Sequence, residues 1–153
     1  MTSWAELRAE VPEFAEKVRL LFDAGTNKTL ASLRRDGSPR ISGTEVRIED
    51  GQVSLGMMPA SMKLADVRRD PRVAIHSPTL EPPEGDPRAW PGDAKLSGRL
   101  VEIPSPEASP VAGAAYFALD VTEAVVTYVA DTGDQLVIET WDTSHGYRRR
   151  TRA

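Results

Sequence analysis

Two periods of hydrophobic residues divide the chain. Val11, Phe14, Val18, Leu21 and Phe22 recur at helical spacing and give one apolar face. Pro12 suits the first turn of that helix and Gly25 ends it. Ahead of it, Ser3 and Glu6 fit a capping box that starts a short helix through about Ala9. From Thr29 the period drops to two. Thr29 to Leu33 reads as a strand, Arg35-Asp36-Gly37-Ser38 as a turn and Arg40 to Ile48 as the next strand. Asp50-Gly51 is a second turn, and Val53, Leu55 and Met57 alternate as a third strand. In the middle strand Ile41 has the opposite parity to Val46 and Ile48. A switch across Ser42-Gly43-Thr44 fits either a bulge or the close approach of a ligand.

Ala60 to Arg69 reads as a short helix with Leu64, Ala65 and Val67 available to the core, stopped by Asp70-Pro71. Arg72 to His76 is another strand. Pro78, Pro82, Pro83, Pro87 and Pro91 make Ser77 to Gly92 a long surface loop, either a binding loop or a passive insertion. Ala94 to Ile103 is a strand containing Gly98. After Pro104, Pro106 and Pro110, an Ala-rich helix is expected over Val111 to Tyr116. Phe117 to Val129 and Gln135 to Trp141 form a last hairpin across Asp131-Thr132-Gly133-Asp134. About seven strands and two to three helices result. The fold expected is mainly β, an antiparallel barrel or sandwich.

Composition narrows the chemistry. The 153 residues suffice for one domain, and 40% hydrophobic with 27% charged residues is ordinary for a soluble protein. A net charge of -4 argues against general nucleic-acid binding. The one basic cluster, Arg148, Arg149, Arg150 and Arg152, reads as a solvated tail, with anion binding as the alternative. Without cysteine there are no disulfides, thiolate metal sites or cysteine nucleophiles. His76 and His145 lie far apart, so no metal site is expected. No stretch approaches the ~20 apolar residues of a membrane span. The first residues lack the charged and apolar regions of a signal peptide, so the expected location is cytoplasmic.

The start of the third helix carries the one suggestive pattern, Pro59-Ala60-Ser61-Met62-Lys63. Ser61 suits an N-cap, a purely structural role. Lys63 is a cation in a first turn, where the helix dipole disfavours one. An anion placed between the two resolves the conflict, and free N–H groups there suit a phosphate. Arg40 is a second anion partner. Arg34, Arg35 and Arg47 read as solvated, and Arg68 and Arg69 complement the helix C-terminus. Glu45, Asp66 and Asp93 form no identifiable acid/base pair, and His76 reads as a buried or solvated histidine, with approach to a pocket as the alternative. No phosphate loop, dinucleotide fingerprint or nucleophile elbow is present. So few reactive groups point to a cofactor that carries the chemistry.

The order of Leu30-Ala31-Ser32-Leu33, Asp36-Gly37-Ser38-Pro39-Arg40, Ser61-x-Lys63 and Arg69-Asp70-Pro71-Arg72-Val73 resembles the pyridoxamine 5′-phosphate oxidase-like superfamily. The likeness runs over about Thr29 to Ile103, and more loosely over the last hairpin. Residues 1–153 are expected to form a single domain of this kind, with N-terminal helices in 1–25, a Pro-rich loop in 78–92 and a basic tail in 142–153. The likeness implies a six-stranded antiparallel split β-barrel with flanking helices. A homodimer is implied, with FMN or the deazaflavin coenzyme F420 at the subunit interface. On that basis Arg40, Ile41, Ser42 and Gly43 run along the flavin ring and ribityl chain, with Leu55 and Gly56 on the neighbouring strand. Ser61, Met62 and Lys63 hold the phosphate, and Asp93 or Lys95 approaches from the strand after the Pro-rich loop. Met62 stands where the pyridoxamine phosphate oxidases have arginine, and their C-terminal substrate motif is absent. The chain looks more like the flavin/deazaflavin oxidoreductase branch, moving hydride to or from a small organic substrate. A non-enzymatic flavin, F420 or haem binder of the same fold is the alternative. A dimeric structural protein with a decayed site is a third.

Overall fold

The computed structural model describes residues 3–153, with the side chain of Ser3 outside the described part. The capping box expected at Ser3 therefore lies outside it too. Helices α1 (Ser3–Glu10) and α2 (Pro12–Asp23) come first, with Pro12 in the first turn of α2. Strands β1 (Lys28–Leu33), β2 (Pro39–Thr44), β3 (Arg47–Glu49) and β4 (Gln52–Met57) follow. Helix α3 (Met62–Arg69) leads to β5 (Arg72–His76). After the Pro-rich loop come β6 (Asp93–Ile103), β7 (Ala115–Val129), β8 (Leu136–Asp142) and β9 (Gly146–Arg152).

All strands lie in one antiparallel sheet. Its central path β2-β1-β5-β6-β7-β4 supplies six barrel strands, with β3 beyond β4 and β8–β9 leaving from β7. No ladder joins β2 to β4, so the barrel is split, and the fold is mainly β as the sequence predicts. Phe14, Val18 and Phe22 of α2, with Trp4 and Leu7 of α1, plug the interior over Leu30, Val53, Ile75, Leu96 and Val121, all nearly inaccessible to solvent. Asp50 and Gly51 both take positive φ (52° and 76°), the hairpin geometry that their sequence favours.

The expected strand from Arg40 to Ile48 is two strands. β2 pairs with β1 and β3 with β4, because the chain leaves one side of the split at Glu45-Val46 and joins the other. There is no bulge at Ser42-Gly43-Thr44: the β1–β2 register runs without a shift from Lys28↔Thr44 to Leu33↔Pro39. The inward positions are Arg40, Ser42 and Thr44, in phase with buried Val46 and Ile48. Ile41 is what breaks the pattern, by facing outward.

Other elements differ as well. The helix expected over Val111 to Tyr116 is a turn running into β7, where Ala115 and Phe117 are core residues. In α3, Ala65 faces solvent and Asp66 is buried instead. The basic tail is strand β9, paired along its length with β8. It is anchored by Tyr147, whose ring meets Phe14 edge-on at 5.5 Å and whose hydroxyl donates to Glu139 at 2.6 Å. Glu139 also accepts from Lys17 Nζ and from the Tyr128 hydroxyl, each at 2.6 Å. Removing it strands an ammonium and two hydroxyls between α2, β7, β8 and β9. We expect Glu139→Ala to cost about 2–3 kcal/mol, read from its urea midpoint.

The Pro-rich loop is tied down. The Trp90 indole donates to Leu80 O at 2.9 Å, and Ser77 bonds Ala94 through both backbone and hydroxyl. Between this loop and α2 lies an apolar cleft of about 450 Å³.

Candidate functional site

Among the described residues no helix lies over the outer face of the β2-β1-β5-β6 sheet. Strand alternation puts Ile41 on it opposite Ala31, and Ala31 opposite Ala74. Small residues on β1 and β5 leave an open groove of about 270 Å³ lined also by Thr29, His76 and Lys95. Ile41, at its rim, is 74% exposed. It extends the apolar surface of the groove into solvent.

At one end of this face, α3 begins. Ser61 is its N-cap: the hydroxyl accepts from Leu64 N at 3.3 Å and donates to Met58 O at 3.0 Å. The structural role of Ser61 is thus realised. Lys63 reaches back to β2 and donates to Gly43 O at 2.7 Å. It has no carboxylate partner among the described residues, and partial burial holds its ammonium below the ordinary lysine value. A cation in a first turn, half-desolvated and answered by one carbonyl, retains capacity for an anion. A Cβ at Gly43 would meet nothing within 4 Å, so the space beside that carbonyl is open. Met62 is exposed and brings no charge to the turn.

Arg40 does not join them. It faces inward, and its Nε donates to Asp66 Oδ2 at 2.7 Å. The same carboxylate accepts from Ser32 Oγ at 2.8 Å and from Arg69 Nη2 at 3.1 Å. Burial alone would raise the Asp66 pKa; the three donors outweigh it and hold the carboxyl below its ordinary value. Ser42 also takes an inward position. Leu55 is in the core, since its strand parity matches Val53 and Met57. Gly56 lies under the Tyr116 ring, which its absent Cβ would approach to 2.9 Å; Ser109 fixes that ring by a 2.7 Å bond to the Tyr116 hydroxyl.

Asp93 and Lys95 share the outer face of β6 with the groove. Asp93 Oδ2 lies 3.4 Å from His76 Nε2, while Nδ1 of the same ring meets Ser77 O at 2.5 Å. A carbonyl can only accept, so Nδ1 carries the hydrogen and Nε2 is directed at the carboxylate. Asp93 Oδ1 is buried without a hydrogen-bond partner. His76 lines the groove, where the sequence favoured a merely buried or solvated histidine. Of the residues singled out from sequence, the structure gathers Ile41, Gly43, Asp93 and Lys95 along one open face with Ser61, Met62 and Lys63 at its end. It sets Arg40, Ser42 and Leu55 on the other side of the sheet.

No family model and no curated protein matches the sequence. Solved structures do. A pyridoxamine 5′-phosphate oxidase-related, FMN-binding protein from Nostoc punctiforme aligns with TM-score 0.60 at 13% identity, over 95% of this chain and 96% of that one. A heme binding protein from Mycobacterium smegmatis aligns with TM-score 0.61 at 14% identity, over 89% and 86%. An F420 reductase aligns with TM-score 0.52 at 15% identity, over 68% and 92%. At such identities the likeness is one of architecture. The chain has the split-barrel fold of the pyridoxamine 5′-phosphate oxidase-like proteins.

Proposed function

We propose that this protein binds FMN or coenzyme F420 on the outer sheet face and, with a second copy of the chain covering that face, transfers hydride to or from a small organic substrate. The observation that carries this reading is Lys63: a half-buried cation set against its own helix dipole and held by one backbone carbonyl of β2, the strand whose Ile41 borders the open groove. The residues fit an aromatic, phosphate-bearing cofactor in part. Lys63 and the first N–H groups of α3, which lack intrahelical acceptors, would take the phosphate. Ile41, Ala31 and Ala74 offer a flat apolar bed for a ring system. Ser61 can contribute only by giving up Met58 O, and Arg40 is committed to Asp66. The grip is therefore lighter than the sequence suggests. The bound cofactor would supply the hydride chemistry; the protein would orient it, exclude water and hold His76 and Asp93 at its edge.

The test is a fluorescence titration with FMN and with F420. Micromolar binding of one, weakened about 10- to 100-fold by Lys63→Ala, is the expected result. If neither binds, the proposal fails. Turnover of the reduced cofactor with candidate acceptors separates an enzyme from a carrier. The carrier reading draws support from the light grip and from the scarcity of acid and base groups in the groove.

A second copy is expected because Ile41 has no cover within one chain. Light scattering should give a dimer at tens of micromolar, and Ile41→Glu, at a position open enough to leave the fold intact, should give a monomer. A wild-type monomer at that concentration would count against it.

A further inference from the structure

The outer face continues past the groove. Beyond Lys95 the sheet curves through β7 and β8 to β9, enclosing a trough of about 770 Å³. β9 pairs in register with β8, Thr140↔Arg148, Ile138↔Arg150 and Leu136↔Arg152. Alternation puts Arg148, Arg150 and Arg152 on one face of β9, the trough side, while Arg149, level with Glu139, borders the trough from the other. Side chains two residues apart on a strand repeat at about 7 Å. Three guanidinium groups thus form a row at that interval, with Lys95 across from them. Two carboxylates, Glu123 and Asp142, oppose these four cations. Asp142 is spent on Arg148, at 3.0 Å. Lys95, Arg150 and Arg152 have no side-chain partner among the described residues. The cations outnumber the carboxylates, and a concave wall with such an excess focuses a positive field on the space it encloses.

We infer that this trough is a binding site for a short oligoanion, a flexible chain carrying carboxylates or phosphates at intervals of about 7 Å, which lies along β9 with one end at Lys95. Charge on an edge strand also guards against strand addition, but that role needs neither a concave wall nor a lysine from a strand three ladders away. Single-stranded nucleic acid is disfavoured, since no aromatic side chain lines the trough to stack a base. Because Lys95 is shared with the groove, a ligand with an aromatic body and an anionic chain can occupy both. The trough itself stands whether or not Lys63 holds a phosphate.

Calorimetric titration at low salt tests it, with inorganic tripolyphosphate and L-tetraglutamate as separate probes. At least one should bind at micromolar Kd, and which one tells phosphate from carboxylate. The affinity should fall steeply with added salt. The double variant Arg150→Gln/Arg152→Gln should lose it at least tenfold, and Arg47→Gln, on β3 and outside the trough, should leave it unchanged. Amide shifts in the wild-type protein, which do not depend on any variant folding, should move on β6, β8 and β9. The inference is overturned if neither probe binds, if the double variant binds as well as wild type, or if the shifts cluster elsewhere.

Discussion

Gly98→Ala should be the most damaging single-methyl change in this protein, lowering stability by at least about 3 kcal/mol. A Cβ at Gly98 would stand 2.0 Å from Asp120 O and 2.9 Å from its carbonyl carbon. Both are backbone atoms of the central β6–β7 ladder, so no rotamer change relieves the contact. The ladder shifts register at this point: Ser97 faces Glu123 and Gly98 faces Val121, which leaves Thr122 as the extra residue. Without that shift, the buried Val121 and the buried Ala124 could not share the inner face. Thermal unfolding should show a fall of roughly 10 °C, at 2–4 °C per kcal/mol for a chain of this size. Gly43→Ala is the matched control. It is also a strand glycine, but with open space around it, so the substitution should be neutral or stabilise by up to about 1 kcal/mol. If both variants melt alike, the close approach at Gly98 is not what fixes the barrel.

Asp66→Ala should follow closely, at about 3 kcal/mol, because it leaves two guanidinium groups facing a site built for a carboxylate. The effect carries a pH signature. Asp66 and Glu139 both have carboxyls held below their ordinary values by hydrogen bonds that outweigh burial. The unfolded chain therefore takes up protons at a higher pH than the native one. The stability these groups contribute is complete above about pH 5 and drains away as pH falls through their native values. Urea midpoints between pH 7 and pH 3 should decline in the wild type and decline less in Asp66→Ala. An equal decline in both would remove Asp66 from the acid response.

Much of this architecture was legible in the chain, and the failures have physical causes. Alternation located β1, β4, β5 and β6 because half of each strand is buried and half is not. The reading failed where a polar residue took an inward place. Arg40 looks like an anion partner because sequence does not show that it faces Asp66, and Asp66 looks like an idle carboxylate for the same reason. Ile41 then seems to break a pattern that it merely stands outside. The Ala-rich stretch before Tyr116 has helical propensity, but Ala115 and Phe117 pack in the core as strand residues, and burial overrides propensity. The arginine run reads as solvated by composition, and only its pairing with β8 shows an ordered face. Of the candidate site, Lys63 was visible because it defies the helix dipole. The groove was not, since it is made by what Ala31 and Ala74 lack.

The bond from the Trp141 indole to Glu10 spans 131 positions, and that from Lys17 to Glu139 spans 122. Helix α1 has eight residues and α2 twelve, too short to persist alone in water. These helices therefore depend on strands far along the chain, on β6 and β7 for their apolar faces and on β8 for these two bonds. Folding should be slow for a chain of this length. In native-state hydrogen exchange, α2 and the β8–β9 hairpin should open together as one cooperative unit, joined in space although they stand near opposite ends of the sequence.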